Sequence, residues 1–147
     1  MKNAAELRFT SVADSSQAQR HVVSVRFAET LSRQSALEAD DDEALHAFRL
    51  CCKRLRFALE RLDPQSPEMR EARTLVGRLT DELGWAHDCA ELAKLAHEHR
   101  APLTAARARR DRDRYVARAA RLWRHAFRTS GEFEALAQYA GFTWSLS

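Results

Sequence analysis

DDEALHAFRLCCKRLRFALERL, residues 41–62, decides how the rest of the chain is read. Set on a helix at about 3.6 residues per turn, it separates into two faces. Leu45, Phe48, Cys52, Leu55, Leu59 and Leu62 recur at steps of three and four and form an apolar stripe. His46, Arg49, Lys53 and Arg56 follow the same steps on the opposite side, within an arc of roughly 80°. Cations at these spacings repel by a few tenths of a kcal/mol per pair, and the first carboxylate on that face comes only at Glu60. A stacked cationic row is best rationalised by an anionic partner lying against it.

Outward from this helix, the acidic run EADDDE (38–43) supplies a cap for its N-terminus in Asp40, Asp41 or Asp42. The carboxylates not used as a cap meet the positive end of the helix dipole. Upstream, Val22, Val23, Phe27 and Leu31 keep an approximate helical spacing and predict a first helix over about 17–37. Residues 1–16 lack a sustained period and read as a loose leader to a single domain, 17–147.

Downstream, DPQSPE (63–68) is a stop-and-restart signal: Pro64 ends one helix, Ser66 caps the next and Pro67 opens it. Ala72, Val76, Leu79, Leu83, Ala86, Ala90 and Ala93 then form a seam of small and medium residues suited to close helix packing. Gly84 lies within this helix, as a kink or a tight crossing. Pro102 opens a fourth helix that runs to about Ser130, with Gly131 as its cap. Arg107, Arg110, Arg114, Arg118, Arg121, His125 and Arg128 form a second cationic row along it. Val116, Trp123 and Phe127 lie opposite. EFEALAQYA (132–140) predicts a short closing helix that lays Phe133, Leu136 and Tyr139 over one end. The expected fold is all-α: an antiparallel four-helix bundle with a C-terminal closing helix.

The net charge of +3 conceals an asymmetry. Residues 100–128 hold ten Arg against Asp111 and Asp113, while the remainder of the chain is net acidic. Such a division sets up a local field that the total does not report, and it points to an anionic partner for one surface. Three cysteines without CxxC spacing read as packing residues in a reducing compartment. No apolar run is long enough to span a membrane, and the N-terminal residues lack the apolar core of a signal peptide. The expected location is the cytoplasm.

HAFRLCCKRLRFALE resembles the HxxRxxx(K/R)RLR signature of the CHAD family, histidine-bearing α-helical domains that bind inorganic polyphosphate. LVGRLTDELGWAHDCAELAKL (75–95) is similar to that family's following helix, L..L...LG..RD...L. The resemblance implies polyphosphate-binding roles for His46, Arg49, Lys53, Arg54 and Arg56, and leaves open whether binding serves association with polyphosphate granules, regulation or scaffolding. Its Arg-Asp pair reads His87-Asp88 here, so His87 stands where a permanent cation is usual. CHAD proteins typically carry two four-helix repeats around a basic channel, and this chain resembles one. Either two copies form a homodimer that rebuilds the channel, or one half binds from one side, or binding has been lost.

The residues themselves favour phosphate as the ligand. Guanidinium groups meet phosphate through paired, charge-assisted hydrogen bonds. A linear polyphosphate presents charge and no bases, and Phe48, Trp123 and Phe127 are expected to point away from the Arg rows, with Phe57 the exception near His46 and Lys53. Single-stranded nucleic acid usually needs exposed aromatics among the cations. Electrostatic nucleic-acid binding by the Arg-rich fourth helix is the main rival. An acidic protein partner is another. A metal-dependent phosphohydrolase is a third, because His46 and His87-Asp88 are similar to HD-type ligands, with Asp111 and Asp113 as further candidates. Three cations on the face of His46 would repel a metal ion. The reading is therefore a non-enzymatic polyphosphate-binding module without cofactor or metal, its two basic rows on helices two and four lining one face.

Overall fold

The computed structural model describes residues 15–62, 67–128 and 132–141, and among them every regular element is helical. The elements are α1 (Ser15–Leu31), a 3-10 turn (Gln34–Leu37), α2 (Asp42–Glu60), α3 (Pro67–Glu98), α4 (Pro102–Arg128) and α5 (Glu132–Ala140). The readings placed on residues 1–14, Pro64, Ser66 and Gly131, and on the side chains of Phe127 and Arg128, lie outside the described residues.

Each helix buries the stripe its spacing dictates. The five apolar stripe positions within α2 are buried, as is Leu62 just beyond its end, and Cys51 joins them. In α3 the seam is buried from Ala72 to Ala86 and again at Ala93, with Met69 and Ala96 extending it. Ala90 is half-buried. In α4 Val116, Ala119, Trp123 and Ala126 face inward. Phe27, Phe48, Trp123 and Phe133 form the aromatic centre: the Trp123 ring meets Phe48 at 5.5 Å and Phe133 at 4.7 Å, both edge-on. Such pairs contribute about 1 kcal/mol each beyond their burial. Cys51 and Cys52 are free thiols, and burial pushes both thiols up, which keeps them inert.

Paired contacts run in opposite directions along neighbouring helices. Arg49 meets Gly84 while Arg56 meets Gly77, so α2 and α3 are antiparallel. The α3–α4 turn ends on Arg100, whose φ of 55° is left-handed. Ala101 N–H donates to the Ala96 carbonyl at 2.8 Å and Arg100 N–H to that of His97 at 3.1 Å. This is a Schellman stop with Arg where Gly is usual. Pro102 then starts α4 without the N–H that a first-turn residue leaves unpaired.

One boundary differs from the sequence reading. The first helix ends at Leu31 rather than near 37. The Ser32 hydroxyl donates to the Glu29 carbonyl at 2.7 Å, and the chain tightens into the 3-10 turn that buries Ala36 and Leu37. The Trp123 indole N–H donates to Gln34 Oε1 at 3.0 Å, holding this turn against α4. No helix among the described residues is long and apolar enough to cross a membrane.

Candidate anion-binding site

The cationic face of α2 does not stand free in solvent: it forms one wall of a groove whose other wall is α3. Two cavities lie along the groove and share Arg49. One, of about 600 Å³, includes His46, Arg49, His87, Lys94 and Arg109 in its lining. The other, of about 400 Å³, includes Arg49, Lys53, Arg56, Phe57, Trp85 and Asp88. From His46 to Arg56 the helix rises roughly 15 Å.

Two glycines of α3 lie opposite arginines of the row. A Cβ at Gly84 would sit 3.7 Å from Arg49 Nε, and one at Gly77 would sit 3.9 Å from Arg56 Cζ. Both pairs are seven residues apart on their helices, so two guanidinium groups lie over two bare stretches of backbone. Arg49 Nε is buried there with no acceptor from the protein, and so is His46 Nδ1. Buried polar atoms left unpaired are costly, about 1–3 kcal/mol each.

The groove is not uniformly basic. Arg56 is engaged by Glu60 at 2.8 Å and by Asp81 at 3.0 Å. Arg49 and Lys53 have no ion-pair partner among the described residues. Carboxylates of Asp42, Glu43 and Glu91 share the lining of the first cavity. The rings of His46 and His87 lie 4.7 Å apart. Burial holds the His46 imidazole below its ordinary value, and the nearby His87 and Arg49 charges push it further down, against a weaker pull from Glu91. Asp88, the third member of the metal-site reading, lines the other cavity. Among the described residues no group of three His, Cys, Asp or Glu side chains could hold a metal ion. Arg54 lies near Cys51 and is absent from the lining of both cavities.

The α4 row lies across α3 from the groove. Arg107, Arg110, Arg114, Arg118 and Arg121 are all exposed, and none lines the two α2 cavities. Arg118, Arg121 and His125 line a separate hollow with Arg78 and Glu82 of α3. Asp81, Trp85 and Asp88 occupy the exposed ridge of α3 between the rows. A single face carrying both rows is therefore not what the helices build, because a third helix separates them.

Two features escaped the sequence reading. Arg112 is 4% exposed; its Nε donates to Asp42 Oδ1 at 2.9 Å, and Arg109 Nη1 donates to Asp42 Oδ2 at 2.6 Å. Asp41 is the cap, accepting from the N–H groups of Glu43 and Ala44, while Asp40 and Asp42 clamp α4 instead of serving only the dipole. The signal was present: Arg112 stands four residues before Val116, at the head of the apolar stripe of α4. The second feature is aromatic. Trp85 lies on the exposed ridge, 5.5 Å from Tyr115, and the guanidinium groups of Arg114 and Arg118 lie 5.8 and 5.5 Å from the Tyr115 ring centre. Phe48 and Trp123 do turn away from the cations, but Trp85 and Tyr115 do not.

No curated protein and no solved structure matches the chain. The family model of the CHAD domain matches residues 5–97. That span reaches from before α1 to the end of α3 and includes both walls of the groove. It covers more than half of the 147 residues, and the chain belongs to the CHAD domain family.

Proposed function

We propose that this protein binds inorganic polyphosphate in the α2–α3 groove and acts by binding alone. The observation that carries the reading is the pair Arg49 and Lys53: two cations one turn apart, in a groove of a CHAD chain, with no carboxylate partner among the described residues. A phosphate chain supplies the missing acceptors through charge-assisted hydrogen bonds. His46 and His87 extend the track at one end. Arg56 backs it at the other while Glu60 and Asp81 hold it in place.

The test is a titration with long-chain polyphosphate, competed by single-stranded RNA of equal total charge at two salt concentrations. Arg49→Glu combined with Lys53→Glu is the appropriate variant. Reversing Arg56 instead would gather three carboxylates and disturb the groove itself. Binding should fall at least a hundredfold in the double variant while circular dichroism stays unchanged. Retained binding in that variant sinks the proposal. A second reading, electrostatic nucleic-acid binding along α4, is favoured by Arg114 and Arg118 lying against Tyr115. RNA competing on equal terms, with both ligands released together by salt, is its signature.

A further inference from the structure

The groove holds two aromatic rings for which an inorganic chain has no use. Phe57 is 51% exposed and Trp85 49% exposed. Scattered surface apolar residues need no explanation. These two come from opposite helices and line the same cavity as Arg49 and Lys53. Trp85 is braced from behind by Tyr115 of α4, which Arg114 and Arg118 flank in turn. At about 400 Å³ the cavity is within the range of small-ligand sites. Its lining also includes Asp88, a carboxylate with no ion-pair partner among the described residues. A carboxylate is an acceptor only, suited to amino or hydroxyl hydrogens and repelled by phosphate.

A cationic pair, two exposed rings and a free acceptor in one cavity match a ligand with a polyanionic tail and a flat, hydrogen-donating head. We propose that this groove binds a nucleoside polyphosphate, with its phosphates on Arg49 and Lys53 and its base against Phe57 and Trp85. Asp88 accepts from the ribose hydroxyls or the base amino group. The inference rests on the anion-binding reading of the α2 row and adds the head-group half of the site. Because every base offers a π-face, stacking discriminates weakly among bases. ATP and GTP should bind within a few-fold of each other.

The test compares ATP with inorganic tripolyphosphate by calorimetric titration, without divalent metal and at fixed ionic strength. Tripolyphosphate carries at least as much charge as ATP, so tighter ATP binding cannot be electrostatic in origin. The expected result is an ATP advantage of about tenfold. Trp85→Ala should remove that advantage and leave tripolyphosphate affinity within twofold. Phe57→Ala gives the same readout should Trp85→Ala loosen the α3–α4 contact. ATP binding no tighter than tripolyphosphate, or weakened in step with it by both aromatic variants, overturns the inference. So does a strong preference for an oligoribonucleotide over ATP, since the rings would then serve a polymer. Arg49→Glu with Lys53→Glu separates the two levels. If tripolyphosphate still depends on that pair but ATP gains nothing, only the nucleotide inference fails. If neither ligand depends on it, the α2 row is not the anion site.

Discussion

Gly84 and Arg49 act as one feature, because the guanidinium of one lies over the missing side chain of the other. A methyl at Gly84 would make ordinary contact with Arg49 Nε at 3.7 Å, while Ala is favoured over Gly inside a helix by about 1 kcal/mol. Gly84→Ala should therefore raise the unfolding free energy by up to about that amount, read as a higher urea midpoint, and leave anion binding intact. Gly84→Leu needs the space the guanidinium occupies, so anion affinity should fall about tenfold with helicity preserved, as titration and circular dichroism would register. His46 makes a second prediction at this scale. Its folded-state value lies below 6.5 because burial, His87 and Arg49 disfavour its charge. The unfolded chain thus takes up the proton first, and His46 removes stability as pH falls below 6.5. A bound polyanion reverses the preference. Polyphosphate affinity should rise between about pH 7.5 and 5.5, and His46→Gln should flatten that rise.

At the scale of the element, α2 begins where α4 is held. Asp41 caps α2, and the neighbouring Asp42 receives Arg109 and Arg112 from α4. Burial raises the Asp42 carboxyl, but the hydrogen bonds from Arg109 and then Arg112 outweigh it and hold the group below its ordinary 3.8. A depressed carboxylate contributes stability above its unfolded value, and that contribution disappears as pH falls through the folded one. The α2–α4 clamp should therefore open below about pH 4. Removing Arg112 leaves partly hydrated carboxylates behind, so the loss should be less than the 3–5 kcal/mol typical of a broken buried pair. Arg112→Ala is expected to cost about 2 kcal/mol in urea unfolding. Asp42→Asn should cost less and should also lose the acid transition, which distinguishes the clamp from simple packing.

For the whole molecule, α3 is both a wall of the groove and the partition between two basic surfaces. The α2 row lies in the groove, and the α4 row spreads its charge on the other side. A row outside the groove steers and screens more than it specifies. Arg118→Glu with Arg121→Glu should slow association and reduce the salt dependence of polyphosphate binding. It should leave most of the affinity at high salt, whereas the Arg49 and Lys53 reversal should abolish binding at every salt concentration.

Periodicity alone determined the helices and their buried faces, because a 3.6-residue repeat forces Leu45, Phe48, Cys52, Leu55 and Leu59 onto one side whatever they meet. It likewise determined that His46, Arg49, Lys53 and Arg56 share a face. What that face meets was decided by tertiary structure. Helical spacing places residues around one axis and is silent about the angle to the next. The row therefore reads the same whether it faces solvent, a second basic helix or the glycines of α3. Only packing brought Gly77 and Gly84 beneath two arginines, drew Glu60 and Asp81 onto Arg56, and set Trp85 beside Lys53 in one cavity. The same packing buried Arg112, since a cation within an apolar stripe is stable only where a neighbouring helix delivers carboxylates to it.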